Sequence, residues 1–291
     1  MTAVTFLGAP SAAGDGTVQK ERRLERLLRG YGRVWVAYSG GVDSTFLLAA
    51  AHRALGGEAL GLIARSPSLP ASELESALAG ARLHGLPVRV IETREMERDA
   101  YRANGRDRCY HCKTELFERM ARLAEAEGSP TLAYGAVTDD LGEVRPGMDA
   151  ARLLHIQAPL VGAGLSKLEV RILSRQMGLG VWDKPQSACL ASRIPHGTPV
   201  TEATLRQVEE AEAWTRDRFA IRILRVRHEG ETARIETEPA DIPRLVDSLA
   251  VLRKEFSRWG FSTVLIDPGG YRRPDPLPIA NMEVTANVQR R

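Results

Sequence analysis

The chain has 291 residues, enough for about two domains at ~150 residues each and for a core that needs no disulfide staples. Hydrophobic residues make up 43% and charged residues 26%, which excludes the disordered, collagenous and coiled-coil classes. A net charge of +3 argues against a broad nucleic-acid surface, no apolar run approaches the ~18 residues of a membrane helix, and the first residues lack the basic start of a signal peptide, so the expectation is a cytoplasmic protein with no membrane partner.

In chain order, residues 1–17 read as a flexible tail, with small, turn-forming residues at 8–16. Leu24, Leu27 and Leu28 mark a short amphipathic helix. The apolar run at 33–39 has the pattern of a buried strand, and a helix follows with Val42, Phe46, Leu47, Ala50 and Ala54 on one stripe. Next come a strand at 58–64, a helix at 71–84, a strand at 88–92, a helix at 113–127 and a strand at 131–136. Ser166-Lys-Leu-Glu169 is a capping box that opens a helix running to about 177. This alternation predicts an α/β fold, a doubly wound parallel sheet with helices on both faces, over 18–195. Past Pro195 the order changes to helix 201–217, strand 221–228, strand 231–238, helix 240–258 and strand 261–266. That predicts a smaller α+β unit over 196–291.

Ser39-Gly40-Gly41-Val42-Asp43-Ser44 falls where a buried strand meets a helix. Two glycines let the backbone approach a ligand, and the free N–H groups of a helix start suit an anion. Ser39 and Ser44 add hydroxyl donors, and Asp43 sits in the first helical turn. No Lys follows, so this is not a Walker A loop.

Cys109, Cys112 and Cys189 are the three cysteines, an odd number in a long chain that argues against a disulfide framework. Cys109-x-x-Cys112 with Cys189 is compatible with a [4Fe–4S] cluster that leaves one iron open. It is also compatible with zinc completed by His111 or His84, with a redox pair, or with three unrelated thiols. Lys184 and Arg193 flank Cys189 and would favour its thiolate.

On a hairpin turning at Glu229-Gly230, residue 227 pairs with 232, 225 with 234 and 223 with 236, which places Arg225, Arg227, Arg234 and Glu236 on one face. That face is either solvated or suited to a phosphate or carboxylate. Asp139, Asp140 and Glu143 follow a strand at the sheet edge where ligands of open α/β sheets bind, and are read as magnesium or substrate contacts or as a plain polar loop.

Together the motifs at 39–44, 108–113, 139–147, 188–201 and 225–230 resemble the LarE family, the ATP-dependent sulfur transferases of nickel-pincer cofactor synthesis, from about residue 18 to the C-terminus. The resemblance implies the ATP-pyrophosphatase (PP-loop) fold, with Ser39, Gly40, Gly41, Asp43 and Ser44 on the ATP phosphates and Mg2+ as companion ion. It implies adenylation of the carboxylates of a pyridinium dicarboxylate mononucleotide and their conversion to thiocarboxylates. Cys189 and Asp43 are then the catalytic candidates, and Arg193, Arg225, Arg227, Glu236, Asp140 and Glu143 the substrate contacts. In one branch of the family the cysteine at this position gives up its own sulfur. In the other, three cysteines hold a [4Fe–4S] cluster whose bound sulfide is the donor. Having all three, this chain resembles the cluster branch. The resemblance further implies a homo-oligomer, a hexamer by analogy, with the C-terminal unit binding substrate or building the assembly, and contact with other nickel-pincer cofactor enzymes. The rival readings are a tRNA thiolation enzyme and a non-catalytic ATP or iron–sulfur sensor.

Overall fold

The computed structural model describes residues 14–142, 146–185 and 188–271. Its N-terminal helix α1 (Asp15–Tyr31) begins inside the segment read as a tail, and the remainder of that tail lies outside the described residues. The next elements are β1 (Val34–Ala37), α2 (Val42–Leu55), β2 (Ala59–Arg65), α3 (Ala71–Leu83), β3 (Val88–Glu92), α4 (Asp99–Arg102), α5 (Arg108–Ala126) and β4 (Thr131–Tyr134). The four strands form one parallel sheet in the order β3-β2-β1-β4.

Every residue of β1 is buried, because both faces of the sheet are covered. Val34 and Val36 pack with Leu24 and Leu28 of α1 and Phe46 and Leu47 of α2. Trp35 and Ala37, pointing the other way, pack with Phe117 and Met120 of α5. α6 (Pro146–Leu153), α7 (Pro159–Ala163) and α8 (Lys167–Gln176) complete the two layers. The capping box of α8 forms as read: Ser166 N donates to Glu169 Oε2 at 2.8 Å, and Glu169 N returns to Ser166 Oγ at 3.3 Å.

The second sheet is built from β5 (Leu224–Glu229), β6 (Thr232–Thr237) and β7 (Thr263–Ile266), with β5–β6 antiparallel and β6–β7 parallel. Its apolar face carries Leu224, Val226, Ala233, Ile235 and Val264 onto α9 (Glu202–Phe219), α10 (Ile242–Asp247) and α11 (Leu249–Phe256). The single helix expected at 240–258 is therefore two, divided at Ser248.

The hairpin register also differs from expectation. Arg225 pairs with Glu236, Arg227 with Arg234 and Glu229 with Thr232, so the turn is Gly230-Glu231, with Gly230 at φ +66°. The left-handed conformation falls on the one residue that adopts it freely, and this sets the turn. The shift is two residues, one full period of the strand, so the polar face keeps the same members.

Candidate active site

The loop Ser39–Ser44 crosses from the end of β1 into the first turn of α2. Gly40 has φ +68°, and a Cβ there would lie 2.4 Å from Ala77 Cβ and 2.9 Å from its Cα, so α3 packs directly on the loop backbone. Ser44 Oγ accepts from Ser39 N at 3.1 Å, shares a hydrogen bond with Ser39 Oγ at 3.0 Å and donates to Gly41 O at 3.2 Å. The serines thus hold the loop's shape. α2 opens at Gly41 with no side-chain cap, which leaves its first N–H groups and dipole for an anion. The end of β4 abuts the same turn: a Cβ on Gly135 would sit 2.9 Å from Ser44 N.

Asp43 forms an ion pair with Lys167 at the start of α8. Its second oxygen, Oδ1, is buried with no partner among the described residues. Burial pushes its carboxyl above the ordinary Asp value, Lys167 opposes this, and nearby Asp140 adds to it. An orphaned buried carboxylate oxygen with a second acid nearby fits a divalent cation at the phosphates. Asp140 Oδ2 accepts from Val137 N at 3.0 Å, and Lys167 N donates to Asp139 Oδ2 at 2.8 Å. Lys184 Nζ reaches Gly40 O at 3.3 Å and Glu73 Oε2 at 2.9 Å. Glu143 lies outside the described residues.

The cysteine helix begins earlier than expected, so Cys109 falls in the first turn of α5 and Cys112 at the start of the second, rather than before the helix. Cys112 and Cys189 pack on one apolar cluster built by Tyr101, Leu190, Ala191, Ile194, Val200, Leu205 and Val208. Burial, then Glu95, pushes the Cys112 thiol up to about 12. Cys109 is exposed one turn before Cys112, close enough to act on it electrostatically. Among the described residues no three His, Cys, Asp or Glu side chains are already gathered as a metal site.

Two residues tie the distant cysteine segments together. Arg108 Nη1 donates to Asn104 Oδ1 at 2.5 Å and to Ala191 O at 2.7 Å. Asn104, fully buried at φ +56°, donates through Nδ2 to Pro195 O and Thr198 O, each at 2.8 Å, and to Ile194 O at 3.3 Å. The loop carrying Cys189 is also joined to the segment after β2 by Leu190 N donating to Ser68 O at 2.9 Å.

Arg193 was expected at the substrate; the structure places it 2% exposed. It is bidentate to Glu212 of α9 at 2.8 and 3.2 Å and donates to Ala188 O and Cys189 O at 2.6 and 2.9 Å. Burial works against the Glu212 carboxylate, but Arg193, Arg216 and the Val226 N–H together hold it below its ordinary range. Arg193 thus anchors the Cys189 backbone to the second sheet.

On that sheet, Arg227 is held by Glu236 Oε2 at 2.9 and 2.8 Å and donates to Ser192 O at 3.0 Å. Arg234 bridges Glu229, Glu236 and Asp267 at 2.8, 2.8 and 2.7 Å. Arg225 lies against the Tyr271 ring at 5.3 Å and is half-buried. A cleft lined by Arg108, Ser192, Pro195, His196, Arg227 and Arg234 runs from the cysteine loop to this face. Sequence reasoning missed Lys167, Asn104, Arg108, Glu212 and Asp267. Asn104 and Arg108, spaced i and i+4 beside the cysteine pair, were the one local signal; the rest meet only through tertiary packing.

No protein-family model matches the chain. It is 41% identical to an uncharacterised protein of Synechocystis, over 87% of this chain and 96% of that one. It is 30% identical to the pyridinium-3,5-bisthiocarboxylic acid mononucleotide synthase of Lactiplantibacillus plantarum, over 87% of this chain and 92% of that enzyme. A 61-residue stretch is 43% identical to a glutamine-dependent NAD(+) synthetase of Xylella fastidiosa, covering 21% of this chain and 11% of the synthetase. The glycine-bearing loop at the C-terminal end of an inner strand of a four-stranded parallel sheet, the three cysteines and the likeness to the synthase over 87% of the chain agree: the chain belongs to the LarE family of ATP-dependent sulfur transferases, with the PP-loop fold.

Proposed function

We propose that this protein converts the carboxylates of pyridinium-3,5-biscarboxylic acid mononucleotide to thiocarboxylates for the nickel-pincer cofactor of lactate racemase. A carboxylate is a poor electrophile. Attack of its oxygen on the α-phosphorus of ATP gives an acyl-adenylate and releases pyrophosphate, and sulfide then displaces AMP. The loop Ser39–Ser44 binds the departing phosphates with Mg2+ at Asp43, and Asp140 stands beside them. Arg225 and Arg227, with Glu236 setting the orientation of Arg227, bind the substrate phosphate, and Asp140 and Glu143 are further substrate contacts in this reading. Residues 18–195 carry the ATP and sulfur chemistry, and 196–291 the substrate grip and the contacts of a homo-oligomer. We read the protein as cytoplasmic and as handing its product to other enzymes of the same cofactor.

The observation that carries this reading is the position of the Cys189 loop. It is bonded to the cysteine helix through Arg108, to the arginine face through Arg227, and to α9 through Arg193 and Glu212, so the proposed sulfur and substrate-phosphate sites meet at one segment. In this reading Cys109, Cys112 and Cys189 would hold a [4Fe–4S] cluster; Cys112 and Cys189 pack on one apolar cluster, and Cys109 precedes Cys112 by one turn of α5. When bound, the cluster would supply sulfide. One observation favours the sacrificial reading, in which Cys189 loses its own sulfur: the three side chains are not gathered in advance.

Anaerobic purification with iron and sulfide analysis, followed by pyrophosphate release with the dicarboxylate nucleotide, tests both. The cluster reading expects iron and sulfide near four each per cluster, an intact Cys189, and loss of activity in Cys109→Ala. Cys109→Ala protein that still transfers sulfur once, with Cys189 lighter by about 34 Da as hydrogen sulfide leaves, overturns it. Absence of pyrophosphate release with the nucleotide would overturn the enzyme reading.

A further inference from the structure

Lys184 belongs to the segment that leads to Cys189, yet its ammonium is engaged at the phosphate loop, donating to Gly40 O at 3.3 Å and to Glu73 Oε2 of α3 at 2.9 Å. The backbone that carries it is fixed. Lys184 N donates to Val181 O at 2.9 Å, and Arg171 of α8 donates to Trp182 O at 2.7 Å and to Lys184 O at 3.1 Å. Glu73 lies one helical turn before Ala77, the residue against which Gly40 packs, so one face of α3 holds both the loop and the lysine. An ammonium has three donors, and among the described residues two are used. The Lys184 and Glu73 side chains are 21% and 28% exposed, and an ion pair this open to water holds its partners only weakly. Lys167 brings a second ammonium to the same loop, but it is tied to Asp43, the residue read above as the cation ligand. The partner of Lys184 lies outside the loop, so Lys184 can change partner without disturbing Asp43.

We infer that Lys184 binds the β- and γ-phosphates of ATP, and then the leaving pyrophosphate, and that Glu73 competes with those phosphates for its ammonium. The inference rests on the reading of Ser39–Ser44 as the phosphate loop. Phosphate oxygens carry more charge than one carboxylate and accept strong charge-assisted hydrogen bonds from lysine. When the bond from the α-phosphorus to the bridging oxygen breaks, its electron pair passes to the pyrophosphate, and an ammonium already placed there offsets the new charge.

The test titrates wild type, Lys184→Met, Lys184→Arg and Glu73→Gln calorimetrically with ATP, pyrophosphate and AMP, each with magnesium. Lys184→Met is expected to lose roughly tenfold or more in affinity for pyrophosphate and ATP, while AMP, which lacks those two phosphates, binds as it does to wild type. Lys184→Arg should recover most of the loss. Glu73→Gln, freed of the competing carboxylate, should bind pyrophosphate more tightly, by up to about fivefold. Wild-type pyrophosphate affinity in Lys184→Met, or an equal loss for AMP, overturns the inference. A Glu73→Gln protein that binds pyrophosphate no more tightly than wild type marks the pair as a brace of the loop and also overturns it, and this titration decides if Lys184→Met does not fold. Wild type that binds ATP and pyrophosphate but releases none with the dicarboxylate nucleotide defeats the substrate reading above, and the titrations still decide on Lys184.

Discussion

Adjacent glycines in the phosphate loop have different duties. Gly40 combines a left-handed backbone with direct contact to α3, whereas Gly41 has φ −82° and its nearest neighbour, Ser39 Oγ, would lie 3.4 Å from an added Cβ. Gly40→Ala is therefore expected to cost about 1–3 kcal/mol of stability through backbone strain and to abolish pyrophosphate release by displacing the loop. Gly41→Ala should fold with near wild-type stability. Urea midpoints of the two variants, read beside pyrophosphate release, check the contrast; a Gly40→Ala protein as stable and active as Gly41→Ala would contradict it. The motif itself was legible in the sequence because its glycines and serines are contiguous. Which glycine carries the steric demand was not, because the demand comes from Ala77 in another element.

Among the elements, the side chains of Asn104 and Arg108 join the cysteine-helix segment to the Cys189 loop by hydrogen bonds, with His196 Nδ1 adding a contact to Asn104 O at 3.3 Å. Asn104→Ala removes the donor to Ile194 O, Pro195 O and Thr198 O and leaves buried carbonyls short of partners. Its expected cost is roughly 1–3 kcal/mol per group left unsatisfied. Arg108→Ala should release Ala191 O and let the two cysteine segments separate. A short bifunctional thiol reagent is expected to join Cys112 to Cys189 in wild type and to do so more slowly in Arg108→Ala. Equal rates would show that apolar packing alone sets their approach. Strands and long helices were legible here because their apolar periods are strong. The start of α5 was missed because Arg108-Cys-Tyr-His-Cys-Lys113 has no apolar stripe. The break at Ser248 was missed because apolar residues continue through it. The hairpin register was misread by one period, but an even shift left its polar face intact.

At the scale of the whole molecule, the buried pair Arg193–Glu212 joins the cysteine loop to the second sheet. Each side chain is 1% exposed, and Glu212 Oε1 also accepts from Val226 N at 3.0 Å. Glu212→Gln leaves the guanidinium without its counter-charge, and breaking such a pair costs about 3–5 kcal/mol. The carboxyl titrates below its ordinary 4.5 in the folded protein, so on acidification the unfolded chain takes up its proton first. Its stabilisation is complete above the ordinary Glu range and is lost as pH falls through that range toward the lower, folded value. The stability gap between wild type and Glu212→Gln should be widest near neutrality and narrow on acidification, as denaturant titrations at several pH values would show; a gap independent of pH would contradict it. The strand order has a consequence for synthesis on the ribosome. All four strands of the parallel sheet lie before residue 135, so the phosphate loop can take its place against α3 while the rest of the chain is still being made. The second sheet must wait for β7, and Arg234 gains Asp267 only after that strand has emerged. The nascent protein therefore acquires its phosphate loop well before the arginine face is complete, and a chain truncated ahead of β7 would keep the first and leave Arg234 without Asp267.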